Sequence, residues 1–330
     1  MAEGTVLVVG ATGQLGTAVV RRLFRRGTPI RALVRPVSAY GHLGETGAEL
    51  AFGDLRDSAS LQAACRGVQT VVATANAVVP RGGSTFRETE EHGYANLIEA
   101  CRQQGVRRFV FMSVPVTPQD DRIPTFALKR RIEAALATSG LEAAIFRGSL
   151  FMDDWFALIG SSIPLRGAEA HTLRRPFWFS RAFLAAVGHS IERRGIALVP
   201  GTGRARHAFI ALDDVADFLC AAALAPAAGG TYSIGGPQVL SWEEVVALFA
   251  RVLGRSVRSV HTPAAVYWTL SAVLQPFSEA AANLMAMSGV VAEVDTAWDS
   301  REVAGRFGVT LTGAEDFLRR HAALPEARET

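Results

Sequence analysis

The fold of this 330-residue chain is decided by the stretch Thr5-Val-Leu-Val-Val-Gly-Ala-Thr-Gly-Gln-Leu-Gly16. Its Val6–Val9 run is apolar and mostly β-branched, as is typical of a strand buried on both faces. Gly10, Gly13 and Gly16 follow in a G-x-x-G-x-x-G spacing, and apolar residues then recur at helical intervals. A strand, a glycine turn and a helix in this order are the context that a dinucleotide site requires.

The glycines have a clear physical role in such a turn. They permit a tight bend and a close approach of the backbone, so that a pyrophosphate can lie on the free N–H groups at the helix N-terminus. The alternative is a βα turn with a purely structural role. The candidate dinucleotide-binding residues in this turn are Gly10, Thr12, Gly13, Gln14, Leu15 and Gly16.

Strands and helices alternate along the first half of the chain. The predicted strands after the first are Ile30–Val34, Ala48–Phe52, Val68–Ala73, Arg108–Met112 and Glu142–Phe146. The predicted helices between them are Asp57–Cys65, Phe86–Gln104 and Thr125–Ser139. This alternation predicts an α/β fold with a doubly wound, parallel Rossmann sheet and a ligand at the carboxyl ends of the strands. We expect residues 1–148 to form this NAD(P)-binding domain.

The regular alternation ends near residue 148. Helices are predicted at Phe151–Ile159, Ser180–Ser190 and Asp213–Leu224, and short strands at Ile196–Val199, His207–Leu212 and Thr231–Ile234. Capping boxes that begin helices are predicted at Ser241 with Glu244 and at Thr312 with Glu315. We expect residues 149–330 to form a smaller, mostly helical substrate-binding and lid region, with the strands near 207–212 and 231–234 returning to the first domain.

Composition narrows the class of protein. The net charge is only +3 and arginines are spread along the chain, so we expect no nucleic-acid partner. Cys65, Cys101 and Cys220 are odd in number and lack a C-x-x-C spacing, which argues against disulfides and zinc and favours a reducing cytoplasm. There is no clustered histidine set, so no metal is expected.

The sequence predicts no membrane span. We expect no signal peptide before the first strand. The most apolar late stretch, Ala264–Ala292, is interrupted by polar residues. We expect it to form buried or pocket-lining helices.

Polar residues follow several predicted strands. Arg35 comes after the second strand, where an arginine suits the 2′-phosphate of NADP and an acid would suit the ribose of NAD. An exposed surface arginine is the alternative. Asp54, followed by Leu55, comes after the third strand and either reaches the adenine edge or serves only in the turn. Thr74 and Asn76 follow the fourth strand and are expected along the ribose and pyrophosphate.

Lys129 is the only lysine, since the other 33 of the 34 basic residues are arginine. A lysine is a compact point charge, whereas an arginine is a rigid fork. Such a head group can hold the ribose hydroxyls near the nicotinamide, and Ser113, at the end of the fifth strand, points at the same region. The alternative for Lys129 is an i,i+4 salt bridge with Glu133, which an arginine would form equally well.

Aromatic residues are concentrated after the sixth predicted strand. Trp155, Phe156 and Trp178 are candidates for the wall of a pocket for a flat hydrophobic substrate, and core packing is the alternative. His207 and His261 can line the same pocket or serve as structural histidines.

Several motifs together resemble the atypical short-chain dehydrogenase/reductases, specifically the NmrA-like group. They are Gly10–Gly16, Gly53-Asp54-Leu55, Gly105–Ser113, Phe126–Lys129, Phe146–Asp154, His207–Ala216 and Thr231–Gly236. The resemblance covers about residues 4–250. It implies NAD(P)H binding by the Rossmann half and a variable substrate pocket formed by the second half.

One position departs from the pattern of the superfamily. Typical members carry Tyr-x-x-x-Lys, with the tyrosine as acid, whereas Thr125 stands four residues before Lys129 here. A threonine hydroxyl does not titrate in the useful range, so it cannot replace a phenol. Many NmrA-like relatives keep only the lysine, and some bind NADP without turning it over.

Three hypotheses follow. The first is an NADPH-dependent oxidoreductase that reduces an apolar conjugated carbonyl, quinone or polyketide-like small molecule, with Lys129 orienting the cofactor and Ser113, Thr125 or Lys129 holding a water. The second is a non-catalytic NADP redox sensor that acts through a protein partner. The third is an isomerase or epimerase that retains NADP. A homo-oligomer is compatible with each hypothesis.

Overall fold

The computed structural model describes residues 4–76, 87–168 and 185–325. The strands are β1 Thr5–Val9, β2 Ile30–Val34, β3 Glu49–Phe52, β4 Val68–Ala73, β5 Arg108–Ser113, β6 Glu142–Gly148, β7 Ile196–Pro200, β8 Arg206–His207, β9 Gly230–Ile234, β10 Leu240–Ser241 and β11 Arg258–Thr262. Seven of them form a parallel sheet in the order β3-β2-β1-β4-β5-β6-β9. The strand order reverses between β1 and β4, and a crevice for a ligand opens at such a point, outside the carboxyl ends of the strands. The predicted doubly wound α/β fold is confirmed.

Helices cover both faces of this sheet. The α-helices are α1 Gln14–Arg25, α2 Ser58–Cys65, α3 Gly93–Gln103, α4 Pro124–Ala137, α5 Met152–Leu158, α6 Ser190–Arg194, α7 Leu212–Leu224, α8 Trp242–Leu253, α9 Ala264–Leu274, α10 Glu279–Glu293, α11 Arg301–Phe307 and α12 Ala314–Ala322. A π-helical turn, Arg87–His92, leads into α3. One core lies between the sheet, α1 and α7, and a second lies between the sheet, α2, α3 and α4.

The first strand shows why its sequence is continuously apolar. Val6 and Val8 pack in the core beneath α1, whereas Leu7 and Val9 pack in the core on the opposite face. All four side chains are buried. A strand at the centre of a doubly covered sheet presents alternate residues to two cores, so both sets must be apolar.

The second half of the chain builds a third core around α5, α8, α12 and β7. A small cluster joins α10 to the beginning of α4 through Ile123, Phe126, Ala286 and Val290. The second half therefore contacts the Rossmann half at the helix that carries Lys129.

The prediction that a strand at 207–212 joins the main sheet is wrong. His207 pairs with Leu240 in a separate two-stranded antiparallel sheet, and α7 begins at Leu212. The edge beside β6 is taken by β9, the strand predicted at 231–234. Residues 208–211 are buried and lie outside the main sheet, although Ile210 forms an isolated parallel bridge with Phe151.

Two further expectations for the second half are corrected. The sequence of Ala264–Ala292 predicts buried or pocket-lining helices. Burial is wrong for α9, which has no buried residue, whereas α10 has nine, and a pocket-lining role for α9 stays a prediction. The capping box at Thr312 does not form, because its hydroxyl donates to Asp214 Oδ1 at 2.8 Å and α12 begins after Gly313. The box at Ser241 is confirmed. Of the helix predicted at Ser180–Ser190, residues 180–184 lie outside the described residues, 185–187 are helical, 188–189 form a turn, and Ser190 begins α6.

None of the helices in the described ranges combines the length and the apolar character needed to cross a membrane.

His207 is a structural residue that links β8 to the third core. Its ring is fully buried, with Nδ1 2.9 Å from Thr296 Oγ1 and Nε2 3.1 Å from the carbonyl oxygen of Val291. A carbonyl oxygen can only accept a hydrogen bond, so Nε2 carries the ring proton and donates it to Val291. Nδ1 therefore accepts a hydrogen bond from the hydroxyl of Thr296. Burial lowers the pKa of His207 to about 4.

We predict a stability loss in acid that depends on His207. The pKa of this ring is lower in the folded chain than in the unfolded chain, so its contribution is present above about pH 6.5 and is lost as the pH falls toward 4. Relative to His207→Gln, the wild type should lose about 3 kcal/mol of unfolding free energy over that window. Urea unfolding at several pH values measures this difference.

A comparison with the variant is needed because burial raises the pKa of Asp153 to about 7. A carboxyl with a raised pKa stabilises the folded state as the pH falls, which is the opposite sign, and it acts equally in both proteins. Parallel pH profiles of wild type and variant would contradict the assignment to His207.

Candidate functional site

The turn between β1 and α1 can be built only with glycine at two positions. Gly10 has φ +88°, and a Cβ there would lie 2.6 Å from the backbone nitrogen of Ala75. A Cβ at Gly16 would overlap the carbonyl oxygen of Gly10. The two glycines therefore let β1, α1 and the end of β4 approach one another closely.

The N-terminus of α1 is left open by this turn. Gly13 is the N-cap residue and is exposed, and within the described part of the chain no side chain caps the helix and its first turn holds no acid. The first N–H groups of a helix need partners, and the helix dipole favours an anion there. The residues present therefore fit the pyrophosphate of a dinucleotide.

Arg35 lies just past the end of β2 and is half-buried. In the described ranges its guanidinium makes no hydrogen bond and no salt bridge, so it is available to a phosphate. Asp54 is engaged, because its two carboxylate oxygens accept from Nε and Nη2 of Arg56, each at 2.9 Å. This pairing lowers the pKa of Asp54, with Arg56 as the main cause and Arg35 as a smaller one. The turn role of Asp54 is thus present, and its contact with an adenine stays a prediction.

The remaining predicted cofactor residues lie at the same edge of the sheet. Thr74 follows β4 and its hydroxyl donates to the carbonyl oxygen of Val9 at 3.1 Å, which ties the ends of β4 and β1 together. Leu55 is buried and Asn76 is exposed. Their contacts with a cofactor stay predictions.

Lys129 is buried, with 2% of its surface exposed. Its Nζ lies 3.1 Å from Oε2 of Glu90, whose side chain is 1% exposed and belongs to the π-helical turn before α3. The same nitrogen lies 4.8 Å from the ring centroid of Phe111 and 5.3 Å from that of Tyr94. The predicted alternative, a salt bridge from Lys129 to Glu133, does not form. Lys129 therefore bears a paired charge that is shielded from solvent.

Glu133 binds a different set of groups, one helical turn further along α4. Its carboxylate, 8% exposed, accepts from the Ser113 hydroxyl at 2.5 Å and from Arg130 Nη1 at 2.7 Å. It also accepts from Arg147 Nε and Nη2. Ser113 thus donates its hydroxyl proton to Glu133, which leaves the lone pairs of its oxygen to accept a hydrogen bond from a ligand.

Thr125 lies one turn before Lys129 on the same face of α4. Its hydroxyl donates to Asn283 Oδ1 of α10 at 2.9 Å, and both residues are buried. Its hydroxyl proton therefore already has an acceptor within the protein. The role of Thr125 in catalysis stays a prediction.

A phenol does lie beside Lys129, but it is unsuited to act as an acid. Tyr94 is 1% exposed, and its hydroxyl donates to the carbonyl oxygen of Ala75 at 2.6 Å. Burial raises the pKa of Tyr94 well above its usual value. Tyr94 therefore holds the loop after β4 and does not replace the missing tyrosine.

The three candidates for the substrate pocket have different positions. Phe156 is fully buried in the third core against Phe209, Phe249 and Phe317, so its assignment to a pocket wall is corrected to core packing. Trp155 is half-buried, with its ring 6.2 Å from that of Trp242, and its contact with a substrate stays a prediction. Trp178 lies outside the described residues.

Sequence reasoning missed four residues of this site: Glu90, Arg147, Asn283 and Glu133 as the partner of Ser113. Thr125, Lys129 and Glu133 recur every fourth residue, so the helical period placed them on one face of α4. Apart from Arg130 on the same helix, their partners lie between 14 and 158 positions away in the chain, and no local pattern connects them.

Known proteins match this chain both in sequence and in fold. A model of the NmrA-like family matches residues 2–306. The photosystem II assembly factor Ycf39 of Synechocystis is 27% identical over 263 residues, which are 79% of this chain and 71% of that protein. The NAD(P)H azoreductase of Xenophilus azovorans is 27% identical over 256 residues, which are 77% and 76% of the two chains.

Other matches cover less of the relative or are more remote. The aligned region spans only 44%, 44% and 46% of the Ycf39 proteins of Cyanophora paradoxa, Trieres chinensis and Guillardia theta. An NADPH-dependent quinone oxidoreductase from Escherichia coli, solved with NADPH, aligns with a TM-score of 0.69 at 19% identity over 96% of this chain and 99% of that one. At this identity the match shows a shared fold.

We predict that the pair of Lys129 and Glu90 is a large term in folding stability. Lys129→Met removes the buried ammonium that pairs with the Glu90 carboxylate, which should cost about 3–5 kcal/mol of unfolding free energy. Adding Glu90→Gln should return part of this loss, since the double variant removes both charges of the pair. Urea unfolding of the four proteins measures the coupling.

The matched control is Arg102→Met, because Arg102 pairs with Glu99 on the exposed face of α3. That change should cost less than about 1 kcal/mol. Equal losses from Lys129→Met and Arg102→Met would show that the buried pair has no special weight.

Proposed function

The chain belongs to the NmrA-like family, and on this premise we propose that it is a cytoplasmic, NADPH-dependent reductase of apolar, conjugated small molecules such as quinones. The observation that carries the proposal is the open N-terminus of α1 with the unengaged Arg35 beside it. Together they offer N–H groups to a pyrophosphate and a guanidinium to a 2′-phosphate. The three cysteines, buried and free, are compatible with a reducing compartment.

The cofactor would be held by residues at the carboxyl edge of the sheet. Gly10, Gly13 and Gly16 line the pyrophosphate position, Arg35 binds the 2′-phosphate, and Ser113 faces the nicotinamide end. When bound, NADPH supplies a hydride from its nicotinamide ring. Lys129 orients the cofactor through its positive charge, and the ion pair with Glu90 holds that charge in position.

The substrate class is inferred from the proton donors of the site, because each candidate donor among the described residues is already bound within the protein. In the described part of the chain, the Thr125 hydroxyl is bound to Asn283, the Ser113 hydroxyl to Glu133, and the Tyr94 phenol to a backbone carbonyl. The site is therefore suited to substrates whose reduced form stabilises negative charge and takes its proton from water. Quinones and azo compounds, named for two of the similar proteins, have this property.

A second candidate is a non-catalytic NADP-binding protein that acts through a protein partner. Three observations favour this second candidate. Lys129 is buried against Glu90, the tyrosine of Tyr-x-x-x-Lys is absent, and the chain is similar to proteins named as assembly factors. Binding of NADPH without consumption would identify this role. NADP(H) retained through purification, again without net consumption, would identify the isomerase alternative.

We predict that Arg35 selects NADPH over NADH. Arg35→Ala should raise the Kd for NADPH at least about tenfold, because a charge-assisted contact with the 2′-phosphate is lost, and should leave the Kd for NADH within about twofold. Titration calorimetry measures both constants. Arg25→Ala, on the exposed side of α1, is the control and should change neither.

The activity itself is tested by the decay of NADPH fluorescence with a panel of quinones, azo dyes, enones and unactivated ketones. We expect the quinones or azo dyes to oxidise NADPH and the unactivated ketones to leave it unchanged, because the described residues of the site offer no strong acid. Tight NADPH binding with no oxidation by any member of the panel would reject the reductase and support the binding protein.

A further inference from the structure

Arg147 lies beside Ser113 at the carboxyl edge of the sheet. It belongs to β6, and its Cα is paired in register with that of Ser113 on β5. Both side chains reach Glu133 on α4. The position is therefore the one at which the proposed function places the nicotinamide and the substrate.

The guanidinium of Arg147 is oriented by one carboxylate. Nε contacts both oxygens of Glu133 at 3.2 Å, and Nη2 contacts Oε2 at 2.5 Å. This bidentate arrangement fixes the plane of the guanidinium. In the described ranges its third nitrogen, Nη1, has no partner, and 29% of the side chain is exposed.

Two other cations of α4 near Glu133, Lys129 and Arg130, are not available in this way. Lys129 is sealed against Glu90. Arg130 binds Asp120 and Glu133 and donates to the carbonyl oxygens of Val114 and Pro115. Arg147 is therefore the one of these three cations that combines a fixed orientation, an unused donor and contact with solvent.

We propose that Nη1 of Arg147 binds the substrate oxygen on which negative charge develops during reduction. The inference rests on the proposed function. A hydride from the NADPH-class reductant adds to a substrate carbon, and the π electrons of the conjugated carbonyl move to its oxygen. The oxyanion is paired with Arg147 and then takes a proton from water, because a guanidinium keeps its protons in this pH range. Arg147 thereby supplies electrostatic stabilisation where typical members use a tyrosine.

The test compares an anionic with a neutral quinone. The probes are 2-hydroxy-1,4-naphthoquinone, an anion at neutral pH, and uncharged 1,4-naphthoquinone, titrated by calorimetry into the full chain saturated with NADP⁺. Arg147→Gln should weaken the anion at least about tenfold and the neutral quinone less than about threefold. Arg301→Gln, at an exposed pair with Asp299, should change neither.

Equal weakening of both quinones would show that Arg147 only supports the fold, and no weakening of either would place it outside the site. Both results overturn the proposal, as does a wild type that binds neither probe. If Arg147→Gln does not fold, Arg147→Lys is used instead. It keeps the charge beside Glu133 but loses the fork, and should still weaken the anion selectively by about threefold or more.

Turnover gives a second readout. Because the charge develops only after hydride addition, Arg147→Gln should lower kcat by about 100-fold with little change in KM for the neutral quinone. Failure of the wild type to oxidise NADPH rejects the proposed function alone, since the selectivity for the anion is measured with the oxidised cofactor.

Discussion

The organisation of this protein depends on one constraint, which is that polar side chains on one face of α4 are buried and must be paired. Thr125, Lys129 and Glu133 lie on successive turns of that face. Burying a hydroxyl costs free energy unless it is hydrogen-bonded, and burying a charge costs much more unless it is compensated. The partners come from α10, the π-helical turn before α3, and the ends of β5 and β6. A single helix thereby ties together the sheet, the segment after β4 and the second half of the chain.

This pairing also determines which groups are left for chemistry. Each hydroxyl near the lysine donates its proton to the protein, and the phenol of Tyr94 is bound to a carbonyl and has a raised pKa. Among the residues that the structure describes, the carboxyl edge of the sheet therefore combines fixed positive charges with lone pairs and has no group that readily gives up a proton. An electrostatic role fits such a site better than acid catalysis does.

The glycine turn is a constraint of a different kind. It is local, since Gly10 and Gly16 must lack side chains to let three backbone segments meet, and it serves any NAD(P)-dependent chemistry. The turn fits the pyrophosphate of a dinucleotide but does not determine which reaction the cofactor would undergo. The network of hydrogen bonds and ion pairs on α4 differs from the Tyr-x-x-x-Lys arrangement. It is the part of the site that distinguishes this chain from typical members of the superfamily.

The amino-acid sequence by itself determined the elements whose cause is local. The apolar run Val6–Val9, the glycine spacing and the capping box at Ser241 each act within a few residues, so the doubly wound sheet and the dinucleotide turn were predictable. Tertiary structure decided the rest. The apolar segment 208–211 is buried without joining the sheet, Phe156 is a core residue, and Lys129 pairs with Glu90 and not with Glu133. Hydrophobic burial does not specify which neighbour covers a residue, and a charge pairs with whichever opposite charge the fold brings near. Both depend on contacts between residues far apart in the chain, which only the folded molecule defines.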